Sequence, residues 1–306
     1  MEYAVYKFFF SGGVHFGERT LESANMTFAA DRLFSALAFE AKAKSENSLN
    51  ELVGLVKTRK ILFSDSFPFA DNEYFCPKPL MKPPKTQREE DVSKRKIFKK
   101  LSYIPLNKFY YYTAGKAEAK ELENPKFGDF YIRTSVVIEP TKAPKPYRVK
   151  IFSFKENCGL YIIVGYEDKK DLLFIEDLLD ALSFSGIGGE RSAGLGKFDF
   201  DKYDLPKKYL SGLTGEYKTY MTLSAALPTN EELESVLKDA NYLLEKKSGF
   251  VASADYADEW RKKKDCYVFK TGSCFKQKFF GQLKDVANGG KHSVYRYLEP
   301  IFMGVE

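Results

Sequence analysis

The segment 185–198 reads SGIGGERSAGLGKF and packs five glycines, Arg191 and Lys197 between a helical pattern and a strand pattern. Because glycine has no Cβ, it tolerates positive φ and lets a backbone approach a partner closely. This density therefore predicts several tight turns or a close backbone contact. The two cations favour an anionic partner, and a mobile surface loop is the simpler alternative.

Nucleotide-cofactor motifs do not fit this segment. A Walker A loop ends in Gly-Lys followed by Ser or Thr, with a glycine five positions before the last one. Counting back from 196–197 places Arg191 at that first glycine, and Phe198 stands where the hydroxyl should be. A dinucleotide fingerprint starting at Gly186 also has Arg191 at its final glycine position. The sequence thus disfavours a nucleotide cofactor.

The positive charge of the chain is concentrated in one stretch. The 306 residues suit two domains and carry a net charge of +6. Residues 76–108 carry +7 and the remainder about −1. Pro77, Pro79, Pro83 and Pro84, together with the lysines, predict an extended, partly mobile insertion rather than core. Its basic residues are Lys78, Lys82, Lys85, Arg88, Lys94, Arg95, Lys96, Lys99, Lys100 and Lys108.

The hydrophobic periodicity predicts an α+β fold made of two ferredoxin-like (RRM-like, βαββαβ) domains with insertions and a glycine-rich loop. The first domain spans 1–205, with a basic insertion at about 76–108 and a hairpin at about 139–154, and a smaller one spans 215–306. Predicted strands lie at 3–10, 61–69, 109–113, 130–139, 148–154, 159–165, 196–200, 220–227, 266–269 and 294–303. Predicted helices run from Asn25, with Asn25 or Thr27 as the cap, over 171–182 and over 230–244.

The titratable residues do not form a recognised catalytic or metal-binding set. The four cysteines are scattered, which predicts free thiols in a reducing, cytoplasmic protein without a zinc site. His15 and His292 are the only histidines. His15 could act with a tyrosine or lysine in metal-independent RNA cleavage, but a histidine in a glycine turn more often has a structural or ligand-contacting role. We expect no catalytic residues, no metal and no cofactor. No signal peptide or membrane span is expected.

Further basic residues alternate with aromatic ones outside the insertion. They lie in the proline-rich hairpin, at 261–264 beside Trp260, and around 272–273. Positive charge gives affinity for a phosphate backbone, and aromatic rings hold splayed bases. A solvated lysine face is the simpler alternative for many of these residues. No RNP motif is present, so base stacking on a sheet in the usual RRM manner is not expected.

Several of these segments together resemble the RAMP superfamily of CRISPR proteins. They are GGVHFGE followed by FAADRLFSAL, KPLMKPPK leading to KKLSYIPL, the loop SGIGGERSAGLGKF, and VYRYLEPIF near the C-terminus. The resemblance runs from residue 3 to 305. Within the superfamily the chain is most similar to the fourth subunits of type III-A Csm effector complexes.

The resemblance implies a non-catalytic RNA-binding subunit that grips the repeat-derived 5′ handle of the crRNA. It also implies contacts with the large polymerase-like subunit and a backbone RAMP subunit, and a thumb formed by 76–108 or 140–150. The residues expected to bind RNA on this basis are Gly12, Gly13, His15, Phe16, Gly17, Arg32, Lys78, Lys82, Lys85, Lys99, Lys100, Gly186, Gly188, Gly189, Arg191, Ser192, Gly194, Gly196, Lys197, Ser273 and Lys276.

Three alternatives remain open from the sequence. The first is a RAMP endoribonuclease that processes the CRISPR transcript with His15 as acid or base. The second is the equivalent subunit of a type III-B complex. The third is a protein-only scaffold whose basic regions dock acidic partners.

Overall fold

The computed structural model describes residues 1–18, 20–81, 98–138 and 143–305 as an α+β arrangement of antiparallel strands and helices. The strands are β1 Glu2–Phe10, β2 Phe16–Gly17, β3 Ala24–Asn25, β4 Ile61–Phe63, β5 Phe67–Ala70, β6 Glu73–Pro77, β7 Tyr103–Pro105, β8 Gly128–Val137, β9 Lys145–Phe154, β10 Cys158–Tyr166, β11 Phe198–Tyr203, β12 Tyr220–Thr222, β13 Leu244–Lys247, β14 Cys266–Phe269, β15 Cys274–Phe275, β16 Gln282–Asp285, β17 Tyr295–Leu298 and β18 Phe302–Gly304. The helices are α1 Ala30–Lys44, α2 Glu46–Lys57, α3 Phe109–Thr113, α4 Lys169–Ser185, α5 Lys207–Thr214 and α6 Asn230–Leu237.

A seven-stranded antiparallel sheet forms the centre of the molecule. Its order is β11-β1-β10-β5-β6-β7, and β4 also pairs with β10. Strand β1 lies between β10 and β11, with Tyr6 opposite Ile162 on one side and Lys202 on the other. The predicted first strand, the strands at 148–154 and 159–165, and the helix at 171–182 are confirmed within a few residues.

The two faces of this sheet carry two separate cores, because successive strand side chains point to opposite faces. Tyr6 and Phe8 face one way and pack in a cluster with α1 and α4. Val5 faces the other way and belongs to a cluster that includes Met221 and Met303 from the C-terminal part of the chain. The second face of the sheet is therefore covered by the C-terminal strands rather than open.

Helix α1 begins at Ala30, so the predicted start at Asn25 is wrong. Asn25 pairs with Phe16 in a short antiparallel ribbon, and neither it nor Thr27 caps the helix. The Ala30 amide instead donates to Asp65 Oδ1 at 2.8 Å. A capping partner 35 positions away cannot be recognised from the local motifs that mark helix starts.

Other local predictions are corrected by tertiary packing. The aromatic run 109–113 is the helix α3 rather than a strand, with Phe109 and Tyr112 buried. The predicted strand 61–69 is two strands, and Pro68 lies inside β5 rather than at an end. Both ends of the basic insertion are core, because β6 and β7 pair there and Ile104 is fully buried.

The C-terminal part is less regular than predicted. Helix α6 ends at Leu237, and Asp239 adopts a left-handed φ of 54°. Residues 220–227 keep only three strand residues, and 294–303 divides into β17 and β18 around Pro300. Between residues 215 and 305 the structure has one α-helix, α6, where a βαββαβ unit has two.

The described helices are all too short or too polar to cross a lipid bilayer.

Candidate functional site

A cleft of about 430 Å³ opens where the glycine loop meets the turn after β1 and the first turns of α1. Its lining also includes Leu21, Ser35, Ala36, Phe39, Glu190 and Ala252. Seven residues predicted to bind RNA line it together: His15, Gly17, Arg32, Gly186, Gly188, Gly189 and Arg191.

Two glycines of the loop, Gly188 and Gly189, are required by its fit to the neighbouring turn, where a Cβ would approach His15. The Gly189 amide donates to the His15 carbonyl at 2.9 Å, and the Gly196 amide donates to the Gly13 carbonyl at 3.0 Å. A Cβ on Gly188 would lie 2.8 Å from that same His15 oxygen. The close backbone contact predicted from the glycine density therefore exists, but its partner is the turn.

Gly196 has the strictest requirement. Its φ is +78°, a region that L side chains rarely adopt, and a Cβ there would lie 2.2 Å from the Ile187 carbonyl oxygen. The Ile187 amide in turn donates to the Gly196 carbonyl at 2.9 Å. The loop is thus closed on itself and held against the turn.

His15 is built into the floor of the cleft. Its side chain is only 4% exposed, and Nδ1 lies 2.7 Å from the Lys150 carbonyl oxygen. Because a carbonyl only accepts, Nδ1 carries the proton, which leaves Nε2 of the neutral ring as an acceptor. A Cβ on Gly17 would lie 2.7 Å from Nε2, so only a very small residue fits there.

Arg32 places a cation on the helical wall of the cleft. Its Nη2 donates to the Gly17 carbonyl at 2.7 Å, and its guanidinium carbon lies 5.8 Å from the centre of the Phe16 ring. Burial lowers the pKa of Arg32, and the charges of Asp31 and Glu18 oppose this shift. Arginine stays protonated under such conditions. No described carboxylate forms an ion pair with Arg32, so its charge is available to an anion.

The outer half of the glycine loop is exposed. Arg191, Ser192, Gly194 and Lys197 all face solvent, with Arg191 opening a short 3₁₀ turn. The turn follows Glu190, whose φ of 58° is left-handed. Arg191 thus adds a further cation to the lining of the cleft, and Lys197 is an exposed cation on the same loop.

Glu190 also connects the loop to the β8–β9 hairpin, a link that the sequence analysis missed. Its Oε2 accepts from the Tyr147 hydroxyl at 3.4 Å and lies 3.8 Å from Arg133 Nη2. Leu195 packs against Val149 and Ile151 of β9 in a small core. The base of the hairpin is therefore fixed beside the cleft.

The rest of the hairpin presents apolar side chains to solvent. Strand β8 begins at Gly128, well before the predicted hairpin start at 139, and residues 139–142 lie outside the described ranges. Its exposed apolar residues are Phe130, Tyr131, Ile132, Val136, Val137 and Ile138. Lys150 Nζ lies 4.4 Å from the Phe130 ring centre, so the surface combines cations and rings.

Two of the residues expected to bind RNA have buried side chains. Phe16 is 1% exposed and packs against Phe28 with ring centres 5.3 Å apart, so its ring is not available for base stacking. Ser273 is fully buried, and its hydroxyl donates to the Lys270 carbonyl. Both side chains stabilise the fold rather than form surface.

The remaining predicted cations lie elsewhere. Lys276 is exposed, and its Nζ donates to Thr219 Oγ1 at 3.0 Å. Lys78 donates to the Phe98 carbonyl, and burial lowers its pKa. Lys99 and Lys100 are exposed, whereas Lys82 and Lys85 lie outside the described residues.

The basic insertion and the glycine loop are not brought together. Lys78 follows β6, and the loop precedes β11 at the opposite edge of the central sheet. Four strand spacings separate these strands, a distance of about 19 Å. One RNA contact surface that includes both would have to extend across the sheet.

Metal and redox chemistry receive no support within the described ranges. No group of three or more histidine, cysteine, aspartate or glutamate side chains is arranged to hold a metal ion there. The prediction of free thiols is confirmed: Cys76, Cys266 and Cys274 are buried, and Cys158 is half-buried.

Two protein-family models match the chain. The model of the RAMP superfamily matches residues 29–199, and that of the CRISPR Csm4 C-terminal domain matches residues 215–305. The first match contains helix α1 and the whole glycine loop. Together they cover most of the chain.

Curated relatives extend the similarity over the whole length. The CRISPR system Cms protein Csm4 of Mycobacterium tuberculosis is 36% identical over 296 residues, which cover 95% of this chain and 94% of the relative. The protein of the same name from Streptococcus thermophilus is 33% identical over 314 residues and covers 100% of both chains.

Solved structures share the fold. A chain in the crystal structure of the Csm3-Csm4 subcomplex of the type III-A CRISPR-Cas interference complex superposes with a TM-score of 0.70, at 17% identity and with 99% of both chains covered. A chain of the Csm1-Csm4 cassette in complex with cA4 gives a TM-score of 0.66, at 18% identity and with 100% and 98% covered.

Proposed function

The chain belongs to the Csm4 family of the RAMP superfamily, and on this premise we propose that it is a non-catalytic subunit of a type III-A CRISPR complex that binds the 5′ handle of crRNA. The observation that carries this proposal is the cleft in which a backbone-built loop, Arg32 and the exposed Arg191 meet. Such a surface offers cations and amides to a phosphate backbone. The Csm4 matches favour type III-A over the type III-B alternative.

We propose two protein partners on the same basis. Solved structures of Csm4 chains contain Csm3 in one case and Csm1 in another. Csm3 corresponds to the expected backbone RAMP subunit, and Csm1 to the large subunit. A subunit that bridges the two can position the crRNA handle at their junction.

The β8–β9 hairpin is our candidate for the thumb that bends the RNA. Its base is fixed to the glycine loop through Glu190 and Leu195, and its outer part exposes apolar side chains such as Ile132 and Ile138. Exposed contiguous apolar groups on a soluble chain often mark an interaction surface. The hairpin is preferred to the basic insertion because it projects beside the cleft.

The finer description of the fold is also proposed. Residues up to about 205 form a ferredoxin-like unit, supported by the strand order β11-β1-β10-β5 with α1 and α4 packed on the same face. Residues 215–306 form a second, less regular domain that packs on the opposite face. A cytoplasmic location stays a prediction.

A non-catalytic role is supported by the surroundings of His15. Its ring is only 4% exposed, and the Nδ1 hydrogen bond to the Lys150 carbonyl fixes its orientation, so little of the side chain reaches a bound ligand. General acid–base catalysis requires such a group within hydrogen-bond reach of the transferred proton. The endoribonuclease alternative is tested by incubating the chain with repeat RNA in EDTA. A discrete cut that disappears in His15→Ala would contradict the proposal.

The binding proposal is tested with a double variant of the two exposed cations of the glycine loop. Arg191→Ala with Lys197→Ala should weaken binding of handle RNA. It should also reduce the slope of log affinity against log salt concentration by about two, because about two phosphate contacts are lost. Filter binding at several salt concentrations measures both quantities. The matched control is Lys42→Ala, whose exposed ion pair with Glu46 lies about 15 Å along α1 from Arg32.

The proposal requires that the double variant bind RNA more weakly than the Lys42→Ala control. Equal affinities and salt slopes for the wild-type chain, the double variant and the control would show that the cleft does not hold RNA. Normal assembly of the double variant with its protein partners and crRNA would support the scaffold alternative.

A further inference from the structure

Two aromatic side chains stand exposed on the C-terminal part of the chain without an apolar cover. Trp260 is 83% exposed and Phe250 is 53% exposed. Their ring centres lie 6.1 Å apart with an interplanar angle of 81°. An edge-to-face pair of this kind leaves one ring face free to take a further planar group.

The pair is held by paired backbone rather than by a free loop. The Val251 amide donates to the Arg261 carbonyl at 2.9 Å, and the Lys263 amide donates to the Gly249 carbonyl at 2.9 Å. Phe250 and Lys262 form an antiparallel bridge between these bonds. The rings therefore have a fixed support, which lowers the entropy cost of binding a ligand.

The pair lies close to the mouth of the cleft. Ala252 is part of the cleft wall, opposite the glycine loop and Arg32. Phe250 precedes it by two residues, which span about 7 Å in an extended chain. A polymer bound along the cleft can thus reach the rings with its next one or two units.

The charges around the pair are balanced along the segment 255–265, which has four basic and four acidic residues. Arg261, Lys262 and Lys264 are exposed directly after Trp260. Of the acids, Asp258 is paired with Lys291 at 2.9 Å and Asp265 with Lys246 at 2.7 Å, and both cations come from outside the segment. Charge therefore gives little preference for an anion here, so the rings have to supply most of the selectivity.

We propose that Trp260 and Phe250 form a stacking platform for an unpaired nucleobase of the RNA whose backbone occupies the cleft. This inference rests on the proposed RNA-binding function and adds a second contact to it. Stacking of a base on an aromatic side chain tolerates any base and requires a single strand. The platform therefore selects unpaired RNA as it leaves the cleft.

The chain offers a direct probe, because Trp260 is its only tryptophan. Titration of the full chain with single-stranded handle RNA should quench the tryptophan fluorescence, while an equal length of duplex RNA should not. In parallel, a fluorescently labelled handle RNA reports affinity independently of the tryptophan. Trp260→Ala should weaken this affinity about tenfold, and Trp260→Phe should retain most of it.

Phe280→Ala serves as the matched control. Phe280 is also a largely exposed ring beside an arginine, with Arg59 5.1 Å from its centre. It lines a second cleft, which lies near the start of β1 and away from the glycine loop. Its removal should change neither the fluorescence response nor the affinity.

The possible outcomes separate this inference from the proposed function. Binding of labelled RNA without quenching, and with unchanged affinity in Trp260→Ala, would overturn the platform and leave the cleft proposal intact. Absence of RNA binding by the wild-type chain would overturn both. A fluorescence change with a purified partner subunit, but not with RNA, would assign the pair to a protein interface instead and overturn the platform.

Discussion

Two clefts of similar volume lie at opposite ends of β1, and each contains an arginine beside an aromatic ring. The first is the cleft of about 430 Å³ described above, with Arg32 by Phe16. The second, of about 450 Å³, includes Tyr3 at the start of β1 and places Arg59 5.1 Å from the ring centre of Phe280. Residue type and ring contact do not distinguish them.

The hydrogen-bond and ion-pair partners of the two arginines distinguish the clefts. Arg59 Nη1 lies 3.2 Å from Glu299 Oε2, and it also donates to the Phe280 carbonyl. Glu299 is 2% exposed, and burial raises its pKa to about 7 against the lowering effect of Arg59. Arg32, by contrast, donates to the Gly17 carbonyl. An arginine already satisfied by a buried carboxylate stabilises the fold, whereas one held by a neutral carbonyl keeps its charge for a ligand.

The largest effect is expected from Gly196→Ala, which tests whether backbone fit builds the first cleft. The clash with the Ile187 carbonyl and the positive φ should lower the free energy of unfolding by about 3 kcal/mol. Gly194→Ala has a similar φ of +84° but open space around the Cβ, so about 1 kcal/mol is expected. Urea denaturation measures both, and equal losses would show that the close approach is unimportant.

The next effect separates the two arginines by stability. Arg59→Ala leaves the buried Glu299 without its partner and should cost about 2 kcal/mol at pH 8, below the usual range for buried pairs because Arg59 is a quarter exposed. Arg32→Ala should cost about 1 kcal/mol, since a hydrogen bond to a carbonyl and the contact with the Phe16 ring are lost but no buried charge is left without a partner. Thermal denaturation shows which variant loses more stability. A larger loss in Arg32→Ala than in Arg59→Ala would contradict the distinction between the two arginines.

RNA affinity should be reduced more by the Arg32 variant than by the Arg59 variant, the reverse of the order expected for stability. Arg32→Ala should weaken handle-RNA binding about tenfold and lower the salt slope by about one. Arg59→Ala should leave both unchanged at a temperature where the variant is folded. Filter binding across salt concentrations checks this, and a comparable loss in Arg59→Ala would mean that the second cleft also contacts RNA.

The smallest effect is a pH dependence that belongs to the second cleft alone. The pKa of Glu299 rises on folding from its ordinary value of 4.5 to about 7, so its contribution to stability is present below about pH 4.5 and is lost as pH increases through about 7. Between pH 6 and pH 8 the unfolding free energy should fall by about 1 kcal/mol. Asp65, whose pKa burial raises to about 6, titrates mostly below this window.

Glu299→Gln isolates the contribution of that carboxyl group. The variant should show a flatter stability profile between pH 6 and pH 8, measured by urea denaturation at each pH. An unchanged slope would assign the pH dependence to other groups.

The sequence predicted those elements whose signal is local. Strand β1 was recognised from its run of aromatic and β-branched residues, and helix α4 from apolar residues at helical spacing. The segment 109–113 was assigned to a strand because its aromatics have strand propensity, yet it packs as a helix with Phe109 buried. Strand propensity mostly reports packing, so the tertiary context overrides it.

The candidate site was predicted in its parts but not in its assembly. The glycine loop, the turn at 12–17 and Arg32 were all identified, and the structure brings them into one cleft. The basic insertion was grouped with them because of its charge, and charge does not indicate where a segment lies in the fold. In the structure the insertion begins towards the other edge of the sheet. Ala252 was missed because it lies in no motif, and Glu190 was missed because only the glycines and cations of its loop were expected to contribute.

By itself, the sequence determined which segments had to turn tightly, where the most regular strands and helices lie and that an anionic ligand was to be expected. Those properties follow from short-range sterics and from composition. Only the tertiary structure decided that Arg32 keeps its charge free while Arg59 does not, because the carboxylate that neutralises Arg59 lies 240 positions further along the chain. A contact of that separation is set by how the sheet and the C-terminal strands pack, and no local pattern encodes it.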